Sequence, residues 1–187
     1  MKIPNIITLI RMGLVPIFVL VFYLPFQWSG LGAAIILGMA SITDWLDGFL
    51  ARKLHQTSAF GAFLDPVADK LIVVVALVLL VGEKDIPWIT IPAAVIVGRE
   101  IVISALREWM AELGKRASVA VNYIGKFKTG MQMAALIILL AFNPKTSWLG
   151  IIGWCLLYLA AFLTLWSMFV YLKLAWHILS EQKENNP

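Results

Sequence analysis

The chain has 187 residues, 61% of them hydrophobic and only 14% charged, with a formal net charge of +4 and a mean hydropathy of +0.88. Such hydropathy excludes an ordinary soluble domain and a disordered chain. With no Ser-, Pro- or Gly-rich linker anywhere, the expectation is one all-α membrane domain over residues 1–187.

Six apolar segments come near the ~20 residues that a helix needs to cross a bilayer, predicting a polytopic bundle of six transmembrane helices. The first runs from about Ile7 to Tyr23 and stops near Pro25; the basic residues before it imitate a signal peptide, but no small-x-small cleavage site follows, so it reads as a retained helix. The second covers about Leu31 to Leu50, with Trp28 as an interfacial anchor. The third is predicted over about Asp65 to Val81, with Asp65 as its cap and Pro66 in its first turn. The fourth spans about Trp88 to Trp109. The fifth covers about Tyr123 to Phe142, closed by the turn-forming Asn143 and Pro144, and the sixth about Trp148 to Trp176. Cys155, the single cysteine, falls in an apolar run and reads as a buried, inert thiol. Gly38, Gly125 and Gly130 read as helix-packing positions, and His55 and His177 lack a second ligand at metal-binding spacing.

Charge between the segments predicts topology. The turn after the first segment has no charge and the one after the third has Glu83, Lys84 and Asp85, whereas Lys2, Arg11, Arg52, Lys53, Arg107, Lys115, Arg116, Lys126, Lys128, Lys173 and Lys183 collect on the other side. Basic residues mark the cytoplasmic side, so both termini are expected there.

Against this apolar background stand Asp44, Asp47, Asp65 and Asp69. An ionised carboxylate at membrane depth costs a few kcal/mol or more unless it is compensated, so four together ask for cations. On a helix, Asp44, Asp47, Gly48 and Ala51 share one face, and Asp65 and Asp69 share another; His55, Gln56, Thr57, Ser58 and Gly61 suit a short turn that lets the two faces meet. Hard oxygen ligands without clustered His or Cys favour Mg²⁺ or Mn²⁺, and four carboxylates suffice for two ions. Two such ions suit displacement at phosphorus. Gly48 and Ala51 leave room for a flat base or a diphosphate, and Arg52 can reach a phosphate oxygen. A proton relay or ion pathway would also use membrane carboxylates.

These residues match D-x2-D-G-x2-A-R-x8-G-x3-D-x3-D at every fixed position: Asp44, Asp47, Gly48, Ala51, Arg52, Gly61, Asp65 and Asp69. The pattern resembles the signature of the CDP-alcohol phosphotransferase family, membrane enzymes that move a substituted phosphate from a CDP-linked donor to an alcohol. The resemblance implies that Asp44, Asp47, Asp65 and Asp69 hold two divalent cations and that Asp69 is the general base for the acceptor hydroxyl. It implies that Gly48, Ala51, Arg52 and Gly61 seat the cytidine diphosphate, and that the face formed by Asn5, Thr8 and Arg11 closes over it. For Thr8, an interfacial polar stripe is a competing reading.

IPNIITLIRM, GREIVISALREWMAELGKR and GKFKTGMQM are similar to the branch of that family acting on glycerol 3-phosphate, which uses CDP-diacylglycerol and releases CMP. A phosphorylated acceptor needs fixed positive charge, for which Arg99, Arg107, Lys126 and Lys128 are the candidates; an Arg99–Glu100 structural pair is the competing reading for Arg99. Serine or inositol phosphate as acceptor keeps the same chemistry, while a divalent-cation transporter is disfavoured because the third and sixth segments are nearly unbroken hydrophobic runs. The resemblance further implies a homodimer in the bacterial cytoplasmic (inner) membrane, with lipid and no nucleic acid as partners.

Overall fold

The computed structural model describes residues 3–54, 59–83, 86, 88–112 and 123–184, with side chains over 9–43, 67–68, 70–83, 86, 88–112, 128–173 and 176. Among the described residues there are six helices and no strand: α1 (Ile3–Phe22), α2 (Ser29–Leu54), α3 (Ala59–Gly82), α4 (Thr90–Glu112), α5 (Tyr123–Ala141) and α6 (Trp148–Glu184). The all-helical expectation is met, and each helix covers most of the segment predicted for it. α6 contains a stretch, Trp148–Lys173, long and apolar enough to cross a bilayer, and shorter apolar stretches run over Leu9–Phe22, Ser29–Thr43, Lys70–Gly82 and Lys128–Ala141.

The start of α3 differs from expectation. It begins at Ala59, so Asp65 and Pro66 are interior rather than cap and first turn, and Gly61 is helical rather than part of the connecting turn. Proline in a helix loses one backbone hydrogen bond. The apolar run Ala59–Leu64 carries the helix through Pro66 nonetheless. His55, Gln56, Thr57 and Ser58 lie outside the described residues.

The pairs α1–α2, α2–α5 and α5–α6 run in opposite directions, and glycines show where they meet. Gly32 on α2 approaches Val21 on α1, where an added Cβ would lie 2.9 Å from Val21 Cγ1. Gly153 on α6 faces Ile138 and Leu139 on α5, where a Cβ would come within 2.7 Å of Ile138 Cγ2. Gly30, at the start of α2, abuts the backbone carbonyl of Leu140 at the end of α5. Gly38 also packs as expected, near Ile137, but Gly130 faces open space and serves no packing contact. The α5–α6 turn is built on Asn143, whose carbonyl accepts from the Thr146 and Ser147 amides and whose Oδ1 accepts from the Lys145 amide at 2.8 Å. At the head of α4, Trp88 takes a left-handed φ of 59°, and its carbonyl accepts a 3.0 Å hydrogen bond from the Tyr158 hydroxyl of α6. That contact sets the start of α4 beside the first third of α6.

One stripe per helix faces the core at three- and four-residue spacing: Val15 and Phe18; Ala33, Leu37 and Ala40; Ile72, Ala76 and Leu80; Ala93 and Ile96; Ala135, Leu136 and Leu139; Leu157 and Ala161. The outer faces are apolar as well, with Leu20, Ile42, Val78, Ile101, Phe162 and Phe169 largely exposed. Cys155 belongs to that outer face: it is exposed, not buried, because it lies off the Gly153–Leu157 stripe that meets α5.

Because Gly30 has backbone rather than a flexible side chain against it, Gly30→Ala is expected to cost about 1–3 kcal/mol by prising α2 from α5. Gly13→Ala, with nothing within 4 Å, should be neutral or stabilising by up to about 1 kcal/mol. Thermal unfolding of the two variants in detergent checks both.

Candidate functional site

Followed to one end of the bundle, each core stripe runs into polar residues. On α1 it passes from Phe18 and Val15 to Arg11, which is 1% exposed, and the same spacing continues to Thr8 and Asn5. On α2 the spacing of Ala33, Leu37 and Ala40 continues to Asp44, Asp47, Gly48 and Ala51, with Arg52 next to Ala51. On α3 the spacing of Leu80, Ala76 and Ile72 continues backward through Ala68 and Asp69 to Asp65 and Gly61. The side chains of Asn5, Thr8, Asp44, Asp47, Gly48, Ala51, Arg52, Gly61, Asp65, Asp69 and Lys126 lie outside the described set, while their helical backbone lies within it.

The antiparallel pairing carries these ends to one side. From the Gly32–Val21 contact, ten residues back along α1 is Arg11, and ten onward along α2 is Ile42, two before Asp44. Arg11 is thus buried at the axial level where the aspartate stretch of α2 begins. Four aspartates at positions that continue the spacing of the core stripes would offer the hard oxygen donors that divalent cations take. Among the described residues, no group of three or more His, Cys, Asp or Glu gathers.

A second polar region occupies α4, α5 and α6. Arg99 Nη1 pairs with Glu100 Oε1, so the structural pairing foreseen for Arg99 is present, and both side chains are largely buried. Arg99 Nε is also buried and has no hydrogen-bond partner among the described residues. Lys128 on α5 is 3% exposed and lies within electrostatic reach of Arg99, Glu100 and Arg107. Arg107 is exposed near the end of α4. Three of the four predicted basic residues therefore share one neighbourhood. Their formal charge is three positive against the one carboxylate of Glu100, which leaves an excess that an anion would answer. Chemically, a region rich in carboxylates and a region rich in cations, at the same end of one bundle, can hold a metal-bound phosphate ester beside a second anion.

Sequence reasoning did not single out four residues that the structure brings forward. Lys70, immediately after Asp69, reaches from α3 to α4 and donates to Ser104 Oγ, which in turn donates to the Glu100 carbonyl at 2.6 Å. Gln132 is buried one turn after Lys128, at an i, i+4 spacing that was there to be noticed. Thr164 is wholly buried on α6, and no neighbouring motif marks it.

Comparison with known proteins follows the same lines. The family model described as CDP-alcohol phosphatidyltransferase matches residues 1–166. A protein of Pectobacterium atrosepticum named CDP-diacylglycerol--glycerol-3-phosphate 3-phosphatidyltransferase is 59% identical over 180 residues, covering 96% of this chain and 98% of the relative. Proteins of the same name from Pseudomonas fluorescens and Escherichia coli (strain K12) are each 56% identical, covering 94% and 93% of this chain and 91% and 94% of the relatives.

The Lys70–Ser104 contact ties the aspartate helix to the arginine helix. Ser104→Ala is expected to lower unfolding stability by about 1–2 kcal/mol, while Ser104→Thr, which keeps the hydroxyl, should stay within about 0.5 kcal/mol of the parent. Thermal unfolding in detergent reads the difference.

Proposed function

The chain belongs to the CDP-alcohol phosphatidyltransferase family, and on that premise we propose that it transfers the phosphatidyl group of CDP-diacylglycerol to sn-glycerol 3-phosphate, giving phosphatidylglycerol phosphate and CMP. The observation that carries the reading is the unbroken D-x2-D-G-x2-A-R-x8-G-x3-D-x3-D pattern in a chain whose relatives bearing that activity in their names are 55–59% identical over nearly their whole length. The acceptor is supported by the surplus of positive charge around Lys128, which suits a phosphate dianion and disfavours serine.

In this reading Asp69 takes the proton from the acceptor hydroxyl, whose oxygen forms the new bond to the phosphorus bearing the diacylglycerol as the bond from that phosphorus to CMP breaks. Asp44, Asp47 and Asp65, with Asp69, would hold two divalent cations, Mg²⁺ or Mn²⁺. When bound, these cations supply charge neutralisation at the phosphates. Gly48, Ala51, Arg52 and Gly61 seat the cytidine diphosphate, and Asn5, Thr8 and Arg11 close over it. Lys128, Arg107 and Lys126 hold the acceptor phosphate, with Arg99 contributing the nitrogen its pairing with Glu100 leaves over.

The setting we propose is a single domain of six transmembrane helices in the bacterial inner membrane, as a homodimer, with both termini and the aspartates on the cytoplasmic side. The apolar outer faces of the helices support burial in lipid, since soluble proteins rarely expose so continuous an apolar surface. Exposed Trp28, Trp88 and Trp148 at one end, and Trp109 and Trp176 toward the other, suit the two interfaces.

Purified protein supplied with CDP-diacylglycerol, Mg²⁺ or Mn²⁺ and a panel of alcohols should release CMP with glycerol 3-phosphate alone. Release with serine or inositol phosphate in its place would refute the acceptor. Chelation should stop release and added Mg²⁺ or Mn²⁺ restore it. Asp69→Asn should slow turnover by at least about a hundredfold without unfolding the protein.

A further inference from the structure

Thr164 is a polar residue that the bundle itself does not use. It is 0% exposed, and its Oγ1 has no hydrogen-bond partner among the described residues. A threonine inside a helix can return its hydroxyl to a carbonyl one turn back, and Ser41 does so here, onto the Leu37 carbonyl at 2.9 Å. Thr164 does not. Burying a hydroxyl without a partner is unfavourable, and valine has nearly the same shape without that cost. A requirement of packing alone would be met better by valine.

Register gives the axial level of the hydroxyl. Gly153 on α6 meets Leu139 on α5. Eleven residues are three helical turns, so a position eleven further along stays on the same stripe, about 16.5 Å away. Eleven residues after Gly153 is Thr164, and eleven before Leu139 in the antiparallel partner is Lys128. Both are buried, and both continue the three- and four-residue spacing of the stripes through Leu139 and Gly153 by which α5 and α6 meet. Lys128 in turn lies within electrostatic reach of Arg99, whose buried Nε also has no partner among the described residues. Two buried donors without acceptors among the described residues thus fall at the level of a lysine in a region of surplus positive charge. Buried polar groups are nearly always satisfied, so donors left over here await oxygen atoms from a ligand.

We infer that Thr164 is a specificity-determining residue for a phosphorylated acceptor, its hydroxyl donating to a phosphate oxygen held by Lys128. The inference rests on the proposed phosphatidyl transfer and adds a contact from α6 to the basic residues of α4 and α5. It makes Thr164 selective between alcohols that carry a phosphate and those that do not, with no part in binding the CDP-lipid.

The test is steady-state kinetics of Thr164→Val and Thr164→Ser in detergent, varying glycerol 3-phosphate and CDP-diacylglycerol separately. Thr164→Val should raise KM for glycerol 3-phosphate about tenfold, as loss of one charge-assisted hydrogen bond does, with KM for the lipid unchanged and the unfolding temperature not lowered. Thr164→Ser should keep KM within about twofold of the parent, because the donor remains. An unchanged KM for glycerol 3-phosphate in Thr164→Val, or an equal rise for both substrates, overturns the inference. Should the valine variant not fold, serine against alanine at the same position makes the same comparison. If the parent protein turns over a different phosphorylated alcohol, the proposed acceptor fails, and the comparison with that alcohol still decides Thr164. Turnover with an unphosphorylated alcohol alone overturns both.

Discussion

Charge in an apolar bundle must be answered by opposite charge or by hydrogen bonds, and most of the polar structure of this protein follows from that demand. On α2 and α3, four aspartates carry formal negative charge into largely apolar helices; on α4 and α5, Arg99 and Arg107 lie within electrostatic reach of Lys128, where Glu100 is the carboxylate that acts on it. Neither region is neutral by itself. In the proposed function, divalent cations beside the aspartates and a phosphate dianion beside Lys128 would each bring opposite charge to these regions, so the electrostatics of the bundle would favour the bound state.

Helix geometry makes this arrangement possible without a dedicated domain. Each helix uses one stripe for two purposes: small and branched apolar residues at one end, polar residues at the other. Antiparallel pairing, seen at Gly32 with Val21 and Gly153 with Ile138, brings the polar ends to one side. Bulky side chains at the glycines would spread the helices, and the Lys70–Ser104 contact shows how the polar end of the α3–α4 pair is joined by side chains instead of close backbone approach.

Much of this was legible in the sequence, because it depends on spacing within a helix. The six helices among the described residues, the Asn143–Pro144 turn and the Arg99–Glu100 pair all follow from local pattern and short-range geometry. Features set by neighbouring helices were not. Pro66 and Asp65 look like a helix start when read locally, yet the apolar residues from Ala59 onward extend α3 by a turn and a half. Cys155 sits in an apolar run, but only the direction of the Gly153 stripe puts it on the outer surface. Gly130 looks like a packing glycine and faces open space. Lys70 with Ser104, and Thr164 beside the level of Lys128, become visible only once two helices are in register.

The glycine contacts between α5 and α6 lie three helical turns from the polar residues of the same pair. Substitutions separated by more than about 10 Å with no shared partner contribute to stability nearly independently. Cohesion and selectivity are thereby held at opposite ends of one helical hairpin. Such a hairpin can drift in the alcohol it accepts while its closure stays constant, so that related chains can diverge in substrate through the polar end alone.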